Sequence, residues 1–314
     1  MDVVLCGAFG PGEREEWLNS LSAACPAGRW LDIDAARQSA ATVRAAVVFP
    51  PVGQALQGLP KLGLIQSLFA GVDRLLGEAS LPADVPLARM VDPAMGRAMA
   101  ETALWATLAL QRHFFAYARQ QADRAWRPLP QRRADGWRVS VLGLGEMGRA
   151  VAATLAQQGY AVSGWAARPR AQPRPDLPTA FGDEGLLALL PRTDVLINLL
   201  PLTAATRGLL DQRLFARLPA GASVVNLARG AHVVDVDLLA ALDAGHLSHA
   251  VLDVFDSEPL PAAHPYWSHP RVTVLPHVAA LTDPRSAAEV VAANLNALDQ
   301  GRPLRHLVDR RRGY

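Results

Sequence analysis

The chain has 314 residues, half of them hydrophobic, and carries 31 basic against 29 acidic side chains. That length points to two domains of roughly 100 to 200 residues, and a formal net charge of +2, with basic runs as short as Arg310-Arg311-Arg312, argues against nucleic acid as a partner. No apolar run approaches the roughly 18 to 20 residues of a membrane-spanning helix, so no membrane association is expected.

The opening Met1-Asp2-Val3-Val4-Leu5 lacks a basic stretch and a small-residue cleavage site, and reads as a first strand. Two cysteines, Cys6 and Cys25, are too few for a disulfide framework or a structural zinc site. A reducing cytoplasm and no metal are the expectation.

Apolar strands are predicted at 3–6, 46–49 and 64–68, with a helix at 13–24. A proline-rich stretch covers 82–93. Residues 95–117 then carry apolar side chains at three- and four-residue spacing, which predicts one long helix. From 137 onward the pattern becomes short, almost wholly apolar strands, each followed by a turn and a helix: 139–142, 161–165, 195–200, 223–227, 250–255 and 272–275. Strands apolar on both faces belong in a parallel sheet covered by helices. The fold class is therefore α/β with two domains: a doubly wound dinucleotide-binding domain at 100–283, and a smaller substrate domain at 1–99 to which 284–314 returns.

Gly143-Leu144-Gly145-Glu146-Met147-Gly148 follows the 139–142 strand directly and opens a helix, with Gly159 placed to cap its end. Gly143 permits the tight turn, Gly145 lets backbone approach a pyrophosphate, and Gly148 lets helix pack on strand. The next strand ends in Trp165-Ala166-Ala167-Arg168-Pro169-Arg170. A carboxylate there would bond the ribose 2′-OH and repel a 2′-phosphate. Two guanidinium groups stand in its place and suit the phosphate. NADPH is the preferred cofactor, with NADH as the alternative. The plain reading is that Arg168 and Arg170 only solvate a loop.

In an open parallel sheet ligands bind beyond the carboxyl ends of the strands. Three consecutive strands end there in Arg229, in Glu258 and in His277. Ketoacid reduction needs a cation to anchor the carboxylate and polarise the carbonyl, and an acid to protonate the developing alkoxide. Arg229 suits the first task and His277 the second. Glu258 would orient the ring and favour its protonated form. Each has an ordinary reading, as turn, cap and satisfied buried histidine. Three such accidents at successive ends of one nucleotide sheet are less economical than one site. The other histidines, among them His232 and His249, lack comparable placement and are read as non-catalytic.

With Asn226-Leu227-Ala228-Arg229-Gly230, Leu252-Asp253-Val254-Phe255-Asp256-Ser257-Glu258-Pro259 and Pro276-His277, the chain resembles the D-isomer-specific 2-hydroxyacid dehydrogenase family over nearly its whole length. Asn198-Leu199-Leu200-Pro201-Leu202-Thr203, the loop from Trp165 to Arg170 and the closing Val308 to Tyr314 resemble its glyoxylate/hydroxypyruvate reductase A branch. The resemblance implies a flavodoxin-like substrate domain, a homodimer formed mainly through the nucleotide domains, and reduction of small 2-ketoacids such as glyoxylate and hydroxypyruvate to D-2-hydroxyacids. It implies that Asp253 holds the nicotinamide carboxamide, that Leu200, Pro201 and Ala228 line the dinucleotide, and that Ala70 and Gly71 offer amides to the substrate carboxylate. Phe69-Ala70-Gly71 departs from the family's usual Gly-Ala-Gly, and a Phe69 facing the pocket would re-line it. The same fold also serves nicotinamide-sensing corepressors, which leaves a binding protein as the competing reading.

Overall fold

The computed structural model describes residues 1–169 and 177–314, which divide into two compact units. One comprises 1–95 with 282–314, the other 96–281.

The first unit is built on five parallel strands. β1 (Asp2–Gly7), α1 (Glu13–Ala24), β2 (Arg29–Leu31), α2 (Ile33–Gln38), β3 (Val43–Phe49), β4 (Leu64–Ser67), α3 (Asp73–Leu76) and β5 (Leu87–Ala88) follow one another along the chain. The sheet order is β2-β1-β3-β4-β5, the flavodoxin-like order. Strand β1 is buried from Val3 to Cys6 and β4 throughout, as parallel strands covered on both faces must be. Burial pushes the Cys6 thiol up to about 12, so it is an inert core group.

The division between the units falls inside α4 (Pro93–Gln111). The predicted helix at 95–117 is two helices, because His113 adopts a left-handed φ of +58° and its ring lies 2.9 Å from the Pro130 carbonyl, ahead of α5 (Phe114–Ala122). An unbroken apolar period does not report such a turn.

The second unit continues with β6 (Arg138–Leu142), α6 (Glu146–Gln157), β7 (Ala161–Ala166), β8 (Thr179–Phe181), α7 (Gly182–Leu189), β9 (Val195–Asn198), α8 (Gln212–Phe215), β10 (Ala222–Asn226), α9 (Asp235–Asp243), β11 (Leu247–Leu252) and β12 (Val272–Val274). Its seven parallel strands run β12-β11-β10-β9-β6-β7-β8. Alternation along each strand feeds two cores. Val139, Val141, Ile197, Val225 and Val251 pack with α4 and α6, while Leu142, Leu196, Val224 and Leu252 pack with Leu186, Phe215, Leu238 and Leu242. The order reverses between β6 and β9, and this switch point is where a doubly wound sheet binds its ligand.

The chain returns to the first unit in α10 (Pro284–Asp299), opened by an Asp283 cap and a first-turn proline. It packs beside α1, and Asn294 Nδ2 donates to the buried Gln66 Oε1 at 2.7 Å.

Candidate active site

The glycine turn leaves β6 at the switch point. Gly143 has a φ of +92°, and a Cβ there would lie 2.6 Å from the Leu199 carbonyl oxygen. A Cβ on Gly148 would lie 1.8 Å from the Gly143 carbonyl oxygen, so α6 meets the turn backbone to backbone. Gly145 differs: nothing stands within 4 Å of its Cβ direction. The space above it is open, beside the first-turn amides of α6. Glu146 is paired with Arg149, and Met147 packs partly into the core, so both line this terminus through their backbone. Arg168, just past β7, is exposed; Arg170 lies outside the described residues.

On the other side of the switch point, Asn198 and Asn226 end β9 and β10 in register. Asn226 holds the next turn, accepting from the Ala228 amide at 3.2 Å and donating to the Arg229 carbonyl at 2.9 Å. Arg229 Nη1 donates to the Ala228 carbonyl at 2.7 Å. Gly230 allows this turn to press on the following strand end, since a Cβ there would lie 1.9 Å from the Phe255 carbonyl carbon. Leu200 is buried, and the Pro201 carbonyl accepts from Thr206 Oγ1 at 2.7 Å.

Beyond β11 and β12 the carboxylate and imidazole meet. Glu258 Oε2 lies 2.9 Å from His277 Nδ1, and Oε1 accepts from the Phe255 amide at 3.0 Å. The glutamate side chain is mostly covered at 17% exposure while the histidine is half open at 48%, so the ring's other edge is accessible. His277 has a φ of +56°, a left-handed conformation that costs a non-glycine residue on the order of 1 kcal/mol. Asp253 holds that turn: its two oxygens accept from the Val278 and Ala279 amides at 2.8 and 3.1 Å. Burial raises the Asp253 carboxyl above the usual carboxylate range, against the lowering by those two amides. This clamp was not read from the sequence.

The first unit presents Ala70 and Gly71 just after β4, both partly exposed. Ser67 Oγ accepts from the Phe69 amide at 3.0 Å. The Phe69 ring lies edge-on to Phe49 at 4.7 Å, and Phe49 is 4.8 Å from Phe9. Phe69 is thus engaged with rings of its own unit.

A nucleotide sheet with an imidazole-carboxylate pair and an arginine at adjoining strand ends is the framework of a dehydrogenase. Residues 104–279 match the family model described as D-isomer specific 2-hydroxyacid dehydrogenase, NAD binding domain. The chain belongs to the D-isomer specific 2-hydroxyacid dehydrogenases, which are NAD(P)-dependent oxidoreductases. It is similar to the glyoxylate/hydroxypyruvate reductase A of Yersinia enterocolitica, at 40% identity over 311 residues, covering 96% of this chain and 97% of that protein. It is also similar to the crystal structure of a D-isomer specific 2-hydroxyacid dehydrogenase from Xanthobacter autotrophicus in complex with NADPH and MES. The TM-score is 0.93 at 37% identity, covering 100% and 99% of the two chains. The NADPH-dependent glyoxylate/hydroxypyruvate reductase of Sinorhizobium meliloti, in complex with NADP and sulfate, gives 0.91 at 35%, with the same coverage.

Proposed function

We propose that the protein is an NADPH-preferring reductase that converts small 2-ketoacids, such as glyoxylate and hydroxypyruvate, to D-2-hydroxyacids. The observation that carries this reading is the 2.9 Å contact between Glu258 and His277 Nδ1, which directs Nε2 of the ring outward as proton donor. NADPH, when bound, would supply the hydride that the reduction needs. Arg229 anchors the ketoacid carboxylate and polarises the carbonyl, and His277 Nε2 gives its proton to the carbonyl oxygen. Glu258 orients the ring for that transfer.

The residues around Gly145 fit a dinucleotide, because the turn leaves open the space that a side chain would fill. Gly143 and Gly148 shape that cradle by bringing the turn and α6 together, and the backbone of Glu146 and Met147 lines it; Leu200, Pro201 and Ala228 line the remainder. The 2′-phosphate falls to Arg168 and Arg170. Asp253 holds the carboxamide only in addition to its amides from Val278 and Ala279.

Among the described residues no helix is long and apolar enough to cross a membrane. A cytoplasmic setting agrees with two free, buried cysteines. A homodimer through the nucleotide unit belongs to this reading, and Trp105 on α4 and Phe114 on α5 are exposed apolar side chains of that unit.

Following NADPH consumption across a panel of ketoacids tests the assignment. Turnover of glyoxylate or hydroxypyruvate, faster than with NADH, is expected. No oxidation of NADPH with any 2-ketoacid would refute it.

A further inference from the structure

Three buried polar side chains behind the Arg229 turn form one connected array. Asn198, Asn226 and His232 are all inaccessible to solvent. The backbone sets the direction of Asn226, whose Nδ2 faces the Arg229 carbonyl and whose Oδ1 faces the Ala228 amide. Asn198 must then present Nδ2 to Asn226 Oδ1, at 3.0 Å, leaving its own Oδ1 to accept from the Leu200 amide at 3.3 Å. The second Nδ2 hydrogen points at His232 Nδ1, 2.9 Å away. That nitrogen is therefore the acceptor, and the ring proton sits on Nε2, 3.3 Å from the Pro201 carbonyl.

We propose that His232 is a positioning residue for Arg229. Its neutral imidazole, acting through Asn198 and Asn226, keeps the Ala228-Arg229 backbone in one frame with the Leu200-Pro201 turn. The proposal rests on Arg229 being the ketoacid anchor. Networks with every member satisfied lock side chains in place, and small displacements of an anchoring group slow a reaction severely. The two ends of the array respond differently to loss of the imidazole. Pro201 keeps its shorter bond from Thr206, so the turn beside the dinucleotide stays held. Asn198 loses one acceptor and keeps only Asn226 and the Leu200 amide, so its hold on the chain of amides leading to Arg229 is weakened.

The test compares His232→Phe, His232→Asn and Arg229→Lys in the full chain, with glyoxylate as the ketoacid. Measured are KM and kcat, NADPH affinity from nucleotide fluorescence, and thermal unfolding. His232→Phe keeps an aromatic ring but no acceptor, and should raise the glyoxylate KM about five- to tenfold while NADPH affinity stays within about twofold. His232→Asn places an amide oxygen near the Nδ1 position and should recover most of the loss. An unchanged KM in folded His232→Phe, beside a raised one in Arg229→Lys, overturns the relay and leaves Arg229 as the anchor. An unchanged KM in both overturns the role of Arg229 and the proposal with it. If His232→Phe does not fold, His232→Asn and His232→Gln decide. Only Asn retains the acceptor toward Asn198, so Gln should show the higher KM, and an equal or lower value overturns the relay.

Discussion

Glu258 is tied at both oxygens, to the Phe255 amide of its own turn and to His277 Nδ1 from the neighbouring strand end. The carboxylate is thereby held fixed relative to the ring, which approaches it from a backbone in the left-handed region.

The first prediction follows from that bond. Glu258→Gln leaves a group that hydrogen-bonds the ring but no longer stabilises its charge. Turnover of the ketoacid should therefore fall while NADPH affinity is nearly unchanged. His277→Ala should lower turnover by roughly 10²- to 10⁴-fold with NADPH affinity nearly unchanged. Turnover and NADPH affinity, measured for wild type and both variants, are the check. An unchanged turnover in Glu258→Gln would separate the glutamate from the proton donor.

The second prediction separates two glycines of one motif. Gly145 has an ordinary φ of −66° and open space at its Cβ direction, so Gly145→Ala should fold with an unchanged unfolding midpoint. The new methyl group would occupy the cradle, and the KM for NADPH should rise about tenfold or more. Gly148→Ala drives a Cβ into the Gly143 carbonyl, and overpacking of this kind costs about 1–3 kcal/mol or more. Calorimetry and NADPH titration of both variants distinguish the cradle from the packing contact.

How far the sequence carried this reading varies with the range of the interaction. Strands β6, β9 and β10 announce themselves because burial on both faces demands continuous apolar runs, and the catalytic candidates Arg229, Glu258 and His277 follow from where β10, β11 and β12 stop. Strands β5 and β8 have two and three residues, too short for a period to register. The break at His113 is a single backbone conformation inside an unbroken apolar pattern. The roles of Asn198, Asn226 and His232 depend on contacts across two strands and a turn. The only trace in the sequence is an asparagine closing each of two apolar strands. For Asp253 the family resemblance suggested a cofactor contact. The bonds to Val278 and Ala279 pair residues 25 and 26 positions apart, which no local pattern encodes.

The third prediction concerns stability. His249 is buried at 4% exposure, stacks on Phe115 with ring centroids 4.3 Å apart, and bonds Thr273 Oγ1 at 2.8 Å. Burial, followed by the nearby Arg119, pushes its imidazole down from 6.5 to about 3. A depressed base leaves the unfolded chain holding the extra proton, so stability is present above about pH 6.5 and is lost as pH falls toward about 3. The loss over that window is on the order of several kcal/mol. His249→Phe retains the stack and should flatten the decline of the unfolding midpoint between those limits. An equally steep decline would mean that other groups govern the acid limb.

The last prediction concerns the choice between the two nicotinamide cofactors. NADPH and NADH differ by one phosphate on the adenosine ribose, so residues that read this difference must act on one cofactor and spare the other. Arg168 is exposed just beyond the end of β7, the strand next to the glycine turn, where the ribose of a dinucleotide held at that turn would reach. A guanidinium contact to phosphate is charge-assisted, and losing it at an exposed position costs on the order of 1–3 kcal/mol. One tenfold change in affinity corresponds to about 1.4 kcal/mol. Arg168→Ala should therefore raise the KM for NADPH by about fivefold to a hundredfold and leave that for NADH within about twofold. Adding Arg170→Ala should deepen the effect on NADPH alone, and 0.5 M salt should narrow the gap in the wild type, since exposed charge pairs are screened. Kinetic constants for both cofactors in the wild type and the two variants decide it. Parallel losses with NADPH and NADH would mean that these arginines shape the loop rather than bind the 2′-phosphate.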